Sequence, residues 1–198
     1  MSAATDRFHK THERLHTIGV VPVIVMDGSQ GAAELGNALV DGGLPIAEIT
    51  LRTPDALDSI AALAAAHPEL AVGAGTVRSI SQAMQAVDRG ASFVVTPGFN
   101  SAVVDWCITE EVPVYPGVSG TEGIEMAAAR ELSVVKFFPA AAAGGPAMLK
   151  ALAAPYQEFR FMPTGGITRE NLAEYLELPS VLACGGSWIA PRAAIAAG

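Results

Sequence analysis

Apolar positions along the chain gather into short, nearly continuous runs. These are Val20 to Met26, Ala47 to Leu51, Ala71 to Val77, Phe93 to Pro97, Val114 to Val118, Val134 to Phe138, Phe159 to Thr164 and Val181 to Ser187. Each is rich in Val, Ile, Leu or Phe and almost free of charge, the pattern of strands buried on both faces of a parallel sheet. Between them lie Ala- and Leu-rich stretches of helical period, at 32–41, 55–66, 81–89, 102–110, 122–130, 147–153 and 169–177. Thr53 with Pro54, Ser79, Asn100 and Thr168 stand where helix N-caps are expected.

One helix between each pair of strands argues for parallel strands joined by crossovers. Eight such units predict a closed (β/α)8 TIM barrel. A doubly wound sheet would normally carry a dinucleotide fingerprint after its first strand, and Met26-Asp27-Gly28-Ser29-Gln30-Gly31 lacks it. No linker or shift in composition divides the chain, so residues 1–198 are expected to form a single domain. A short helix should precede the first strand. After Trp188 only Pro191 to Gly198 could build the eighth helix, which is expected to be truncated or missing.

Composition changes the picture in one respect. Hydrophobic residues make up 51% and charged residues 16%, and mean hydropathy is +0.37, against a usual charged share of about a quarter. A spanning helix needs roughly 18 consecutive apolar residues, and Pro, Gly or charge cuts every candidate here. No membrane association is expected; the apolarity belongs to buried strands. The formal net charge of −8 provides no basic field for nucleic acid or an anionic bilayer. An anion would have to be held locally. Cys107 and Cys184 have no metal-ligand spacing, and Met1 to Arg14 contains no apolar signal region, so a reduced, cytoplasmic protein is expected. His9, His12 and His16 share a helical spacing but have no carboxylate or Cys beside them at a barrel mouth, and no metal site is expected there.

In a barrel, functional groups project from the C-terminal strand ends and the loops that follow. The residues least suited to buried strands collect there. Lys136 is one of three lysines and the only one inside a strand-like run, Val134-Val135-Lys136-Phe137-Phe138. Burial disfavours an ammonium and favours the neutral amine, which can attack a carbonyl and form a Schiff base. A structural ion pair would also place a lysine there, and the residue alone leaves both readings open. Glu48, flanked by Ala47 and Ile49, is either its salt-bridge acceptor or a proton shuttle beside it. Arg52 could grip a carboxylate in bidentate fashion or form a rim ion pair. Thr76 could donate to the same carboxylate or cap the next helix. Gly165-Gly166 and Gly185-Gly186-Ser187 follow the seventh and eighth strands, where barrels of this class commonly bind phosphate through backbone N–H groups. Phe138 could wall the pocket.

Taken in order, Val21-Pro22-Val23-Ile24-Val25, Glu48-Ile49-Thr50-Leu51-Arg52-Thr53, Val72-Gly73-Ala74-Gly75-Thr76-Val77, Thr96-Pro97-Gly98, Lys136-Phe137-Phe138-Pro139-Ala140, Pro163-Thr164-Gly165-Gly166-Ile167 and Gly185-Gly186-Ser187-Trp188 resemble the class I 2-keto-3-deoxy-6-phosphogluconate aldolases, often grouped with 4-hydroxy-2-oxoglutarate aldolases. The resemblance implies a metal-free, cofactor-free lyase of the Entner-Doudoroff route that cleaves a phosphorylated 2-keto acid to pyruvate and glyceraldehyde 3-phosphate. It implies Lys136 as the imine-forming lysine and Glu48 as the proton shuttle. Arg52 and Thr76 would hold the pyruvoyl carboxylate, Pro97 and Phe138 would line the pocket, and Thr164 would lie beside the keto acid. Gly165, Gly166, Gly186 and Ser187 would receive the phosphate. A homotrimer is implied as well.

Two segments depart from the family pattern. Ala140 to Gly145 lacks the acidic and amide residues of many relatives, and Met26 to Ser29 replaces a more basic first loop, so the aldehyde partner stays open; Thr164 leans toward the gluco over the galacto epimer. The competing readings are another phosphosugar-binding barrel lyase or isomerase, which has no need of Lys136 as an amine, and a non-catalytic sugar-phosphate binding module.

Overall fold

The computed structural model describes residues 3–197. Strands and helices alternate along the chain: β1 (Val20–Ile24), β2 (Ile46–Thr50), β3 (Ala71–Gly75), β4 (Phe93–Val95), β5 (Val114–Tyr115), β6 (Gly117–Val118), β7 (Val134–Phe137), β8 (Arg160–Pro163) and β9 (Cys184–Gly186). Helix α1 (Ala3–Ile18) precedes them. The helices that follow are α2 (Ala32–Asp41), α3 (Ala56–Ala66), α4 (Ile80–Asp88), α5 (Ser101–Thr109), α6 (Thr121–Ala128), α7 (Gly145–Ala153), α8 (Leu172–Leu176) and α9 (Arg192–Ala197).

All ladders are parallel, and they run β5-β4-β3-β2-β1-β9 in one sheet and β6-β7-β8 in the other. The sheets are two arcs of one barrel. The expected fifth strand, Val114 to Val118, is split into β5 and β6 at Pro116, which has no N–H to give a ladder. Its carbonyl still accepts from Lys136 N–H at 2.9 Å, so the seam holds. On the other side, the bridges Phe161 to Val181 and Thr164 to Gly185 join β8 to the β9 segment. Counting β5 and β6 as one stave gives the eight predicted staves.

Strand burial follows from this closure. Every residue of β2, β3 and β4 is buried, because one face meets the barrel interior and the other meets the helices. The helices turn alternating apolar positions inward, as with Ala56, Ile60 and Leu63 of α3. Two of the expected caps are present: Ser79 accepts from Gln82 N–H and Asn100 accepts from Val103 N–H. Two are not. Thr53 instead donates its hydroxyl to the Met26 carbonyl at 2.6 Å, and α3 starts after Asp55. Thr168 lies before a turn held by Asn171, which is the N-cap of the shorter α8.

The N-terminal helix is not short. At 16 residues α1 closes the N-terminal end of the barrel, where its fully buried Leu15 sits among Ile46, Ala71, Phe93 and Val134, the first residues of four strands. The eighth outer helix, α9, is described over Arg192–Ala197, and its Ile195 packs on the cluster containing Ala32 and Leu39.

Candidate active site

Lys136 and Glu48 stand third in their strands, β7 and β2, and both point into the barrel. They are 4% and 1% exposed. Lys136 Nζ donates to Glu48 Oε1 at 3.3 Å across a sequence separation of 88 residues. Each provides the counter-charge without which burying the other would be strongly unfavourable. The barrel interior thus holds one amine and one carboxylate in direct contact.

The other candidate residues connect to this pair through contacts. Glu48 lies against Gly75: a Cβ built there would fall 2.1 Å from Oε1. The next residue, Thr76, takes a left-handed backbone at φ 59 and accepts a hydrogen bond from Arg52 Nε at 3.3 Å. Thr76 therefore pairs with the guanidinium and does not cap α4, whose cap is Ser79. Arg52 itself is exposed on the loop after β2. On the far side, Nζ of Lys136 lies 5.5 Å from the ring centroid of Phe138, a cation–π distance.

Phe138 in turn packs on Gly165, where a Cβ would be 3.2 Å from the ring. Gly165 and Gly166 both have left-handed backbones, at φ 97 and 77, which glycine adopts without steric cost. Thr164 is buried and bridges to Gly185, where a Cβ would lie 2.3 Å from Thr164 Oγ1. Gly186 is covered by the Trp188 ring, and Ser187 is exposed at the mouth. Pro97 abuts Gly117, the register partner of Lys136 on β6. All eleven candidates thus gather at the C-terminal strand ends, with Ser187 at the edge of the group.

Five residues that shape the site lie outside the eleven candidates: Thr96, Ser119, Glu122, Met126 and Gly75. Thr96 is fully buried; its hydroxyl donates to the Gly98 carbonyl at 2.7 Å and accepts from Gly117 N–H at 3.3 Å, tying the β4 loop to β6. Its position at a strand end, directly before Pro97, was the available signal. A cavity of about 500 Å³ beside Phe138 is lined by Pro97, Ser119, Glu122 and Met126, the last three of them absent from the predicted set. Gly75 showed in the sequence only as a glycine within a buried strand, and its role depends on what occupies the space beside it.

A larger cavity, about 750 Å³, lies by the first loop and is lined by Asp27, Glu34, Asp55, Asp58 and Arg192. It shares no residue with the Lys136 chain of contacts and holds no lysine, so no amine that could form an imine lines it. Arg192 there holds the Asp27 carboxyl below the usual carboxylate range. Cys107 and Cys184 are buried, and burial pushes both thiols up to about 12, far from reactive thiolates. His12 packs 5.6 Å from the Tyr115 ring at the opposite end of the barrel. Among the described residues no group of three His, Cys, Asp or Glu could hold a metal, and no helix is long and apolar enough to cross a membrane.

Against known proteins, residues 11–198 match the family of KDPG and KHG aldolases. The 2-dehydro-3-deoxy-phosphogluconate aldolase of Treponema pallidum is 48% identical over 186 residues, covering 94% of this chain and 89% of that protein. Among solved structures, the KDPG aldolase of Legionella pneumophila, with pyruvate captured at low pH as a covalent carbinolamine intermediate, superposes with a TM-score of 0.91 at 39% identity, covering 94% of this chain and 90% of the other. The 2-keto-3-deoxy-6-phosphogluconate aldolase of Zymomonas mobilis ZM4, with 3-phosphoglycerate, gives 0.89 at 36% identity and covers 96% and 93%.

Proposed function

The chain belongs to the KDPG and KHG aldolase family, and from that premise we propose that it reversibly cleaves 2-keto-3-deoxy-6-phosphogluconate to pyruvate and glyceraldehyde 3-phosphate, with Lys136 as the reacting amine. The observation that carries this reading is the buried Nζ of Lys136 held 3.3 Å from Glu48 Oε1 at the C-terminal end of the barrel. A phosphosugar isomerase has no need of a lysine that bonds to its substrate, and in a binding module the carboxylate would be a counter-charge and nothing more.

The chemistry follows from these two groups. Glu48 first takes a proton from the Lys136 ammonium, the freed Nζ attacks C2 of the keto acid to give a carbinolamine, and Glu48 returns that proton to the C2 oxygen, which leaves as water and produces a protonated imine. A base then removes the C4 hydroxyl proton, the C3–C4 bond breaks, and its electron pair moves onto the imine as an enamine. Glyceraldehyde 3-phosphate departs. The enamine takes a proton at C3, and water releases pyruvate and the free lysine. The iminium accepts the electron pair far better than a neutral ketone, which is why the site centres on an amine. Glu48 is the carboxyl group in contact with that amine, so it serves as the shuttle in these steps.

Arg52 and Thr76, already paired at the rim, are suited to the substrate carboxylate. The N–H groups of Gly165 and Gly166, with Gly186 and Ser187, are suited to the phosphate, which lets a chain of net charge −8 bind an anion locally. The same chemistry would cleave 4-hydroxy-2-oxoglutarate to pyruvate and glyoxylate, the second activity in the family's name. Our proposal takes residues 1–198 as one aldolase domain working in the cytoplasm. It also takes the protein to be a homotrimer, a reading supported by the exposed apolar Ile80 and Met84, one turn apart on α4; a size measurement tests it. A coupled assay of pyruvate release from phosphorylated and unphosphorylated 2-keto-3-deoxygluconate tests the function. Faster turnover of the phosphorylated form is expected, and equal rates would remove the phosphate site.

A further inference from the structure

Glycine inside a strand weakens it, since it has no side chain to pack and loses more entropy on folding. Gly75 ends β3 in full register with Thr50 of β2, and its carbonyl accepts from Leu51 N–H at 2.8 Å. Its backbone is not left-handed, unlike that of Gly165 or Gly166. Nothing in the backbone therefore requires glycine. What requires it is space: a Cβ at this position would lie 2.1 Å from Glu48 Oε1, 2.6 Å from its Cγ and 2.7 Å from its Cδ.

Neither partner can yield cheaply. The ladder fixes Gly75, and Glu48 is 1% exposed with Lys136 on its other side. Added volume at 75 would have to move the carboxylate. We propose that Gly75 is a positioning residue of the reaction: its missing side chain is the seat that holds the Glu48 carboxylate against Lys136 Nζ. This rests on the reading of Lys136 and Glu48 as the amine and proton shuttle. Gly73, two residues earlier, provides the contrast, since a Cβ there would meet the Phe93 ring, 2.1 Å from Cε2, in the apolar part of the interior.

The test is a double-mutant cycle on the full chain with Gly75→Ala, Glu48→Ala and the pair, reading kcat and KM for the keto acid together with the melting temperature. Displacement of about 1 Å at a reacting group costs on the order of 100-fold, so Gly75→Ala should lower kcat by about that factor and change KM less than about threefold. In the Glu48→Ala background the same substitution should change kcat by less than about twofold and leave the melting temperature unaltered, because the clashing side chain is gone. The melting penalty of Gly73→Ala should persist in that background. Multiplicative effects of Gly75→Ala and Glu48→Ala on kcat would overturn the proposal. If Gly75→Ala alone does not fold, the pair decides: melting like Glu48→Ala supports the seat, and failure to fold overturns it. An inactive wild-type protein would sink the aldolase reading, while the melting cycle would still report on the contact.

Discussion

The two ends of the barrel interior are built from opposite materials. At the N-terminal end, large side chains fill the space: Phe93 and Tyr115 stack edge to face with centroids 5.9 Å apart, Leu15 of α1 closes over Val134 and Met162, and His12 lies on Tyr115. Toward the C-terminal end the barrel presents Gly75 and Gly185, whose vacant side-chain space is taken by Glu48 and Thr164, with Lys136 paired to Glu48 beside them. Strand β3 shows the change within two residues: the space beside Gly73 is taken by a phenyl ring and the space beside Gly75 by a carboxylate. One end is packed for stability and the other is emptied for chemistry, so substitutions at the two ends should separate activity from stability.

The largest effect should come from Lys136→Met, which keeps the volume and removes the nucleophile. We expect pyruvate release to fall by a factor on the order of 10^4 or more with a folded protein by circular dichroism. Glu48→Gln comes next, with kcat lower by about 10^2 to 10^4 and slower formation of the pyruvate adduct in a stopped borohydride assay. At the closed end the signs reverse. Leu15→Ala should cost about 2–5 kcal/mol in urea unfolding and leave kcat within about twofold once folded.

Acid should strike the closed end as well. Burial, with His9 nearby, lowers His12 from its ordinary 6.5 to about 4. The folded state therefore resists protonation there, and the contribution is complete above pH 6.5 and is lost as pH falls toward 4. It amounts to up to about 3 kcal/mol, and His12→Gln should flatten that part of the stability–pH curve relative to the wild type. The smallest effect belongs to Arg52→Ala, which should raise KM for the keto acid about tenfold with no change in melting temperature, because the side chain is exposed.

Much of the barrel was legible because buried parallel strands need unbroken apolar runs, and Lys136 and Glu48 stood out as charges within such runs. The interruption of the fifth strand was less legible, since Pro116 sits in an otherwise strand-like run and the chain continues through it. Thr53 and Thr168 looked like caps by position, but Thr53 found a carbonyl on the neighbouring loop and Asn171 took over at α8. The length of α1 was hidden by its polar composition, which the fully buried Leu15 offsets through long-range packing. Gly75 was legible as a glycine out of place in a buried strand, but the neighbour that fills its vacant space is set by the fold.

The central claim is that Lys136 is the amine that bonds to the substrate. The most direct measurement is borohydride reduction in the presence of pyruvate, followed by peptide mass mapping. The chain has three lysines, Lys10, Lys136 and Lys150, so the assignment is unambiguous. We expect a single reduced pyruvoyl group on the peptide containing Lys136, with loss of activity in proportion to labelling. Labelling of Lys10 or Lys150 instead, or full turnover with Lys136 unmodified, would contradict the account.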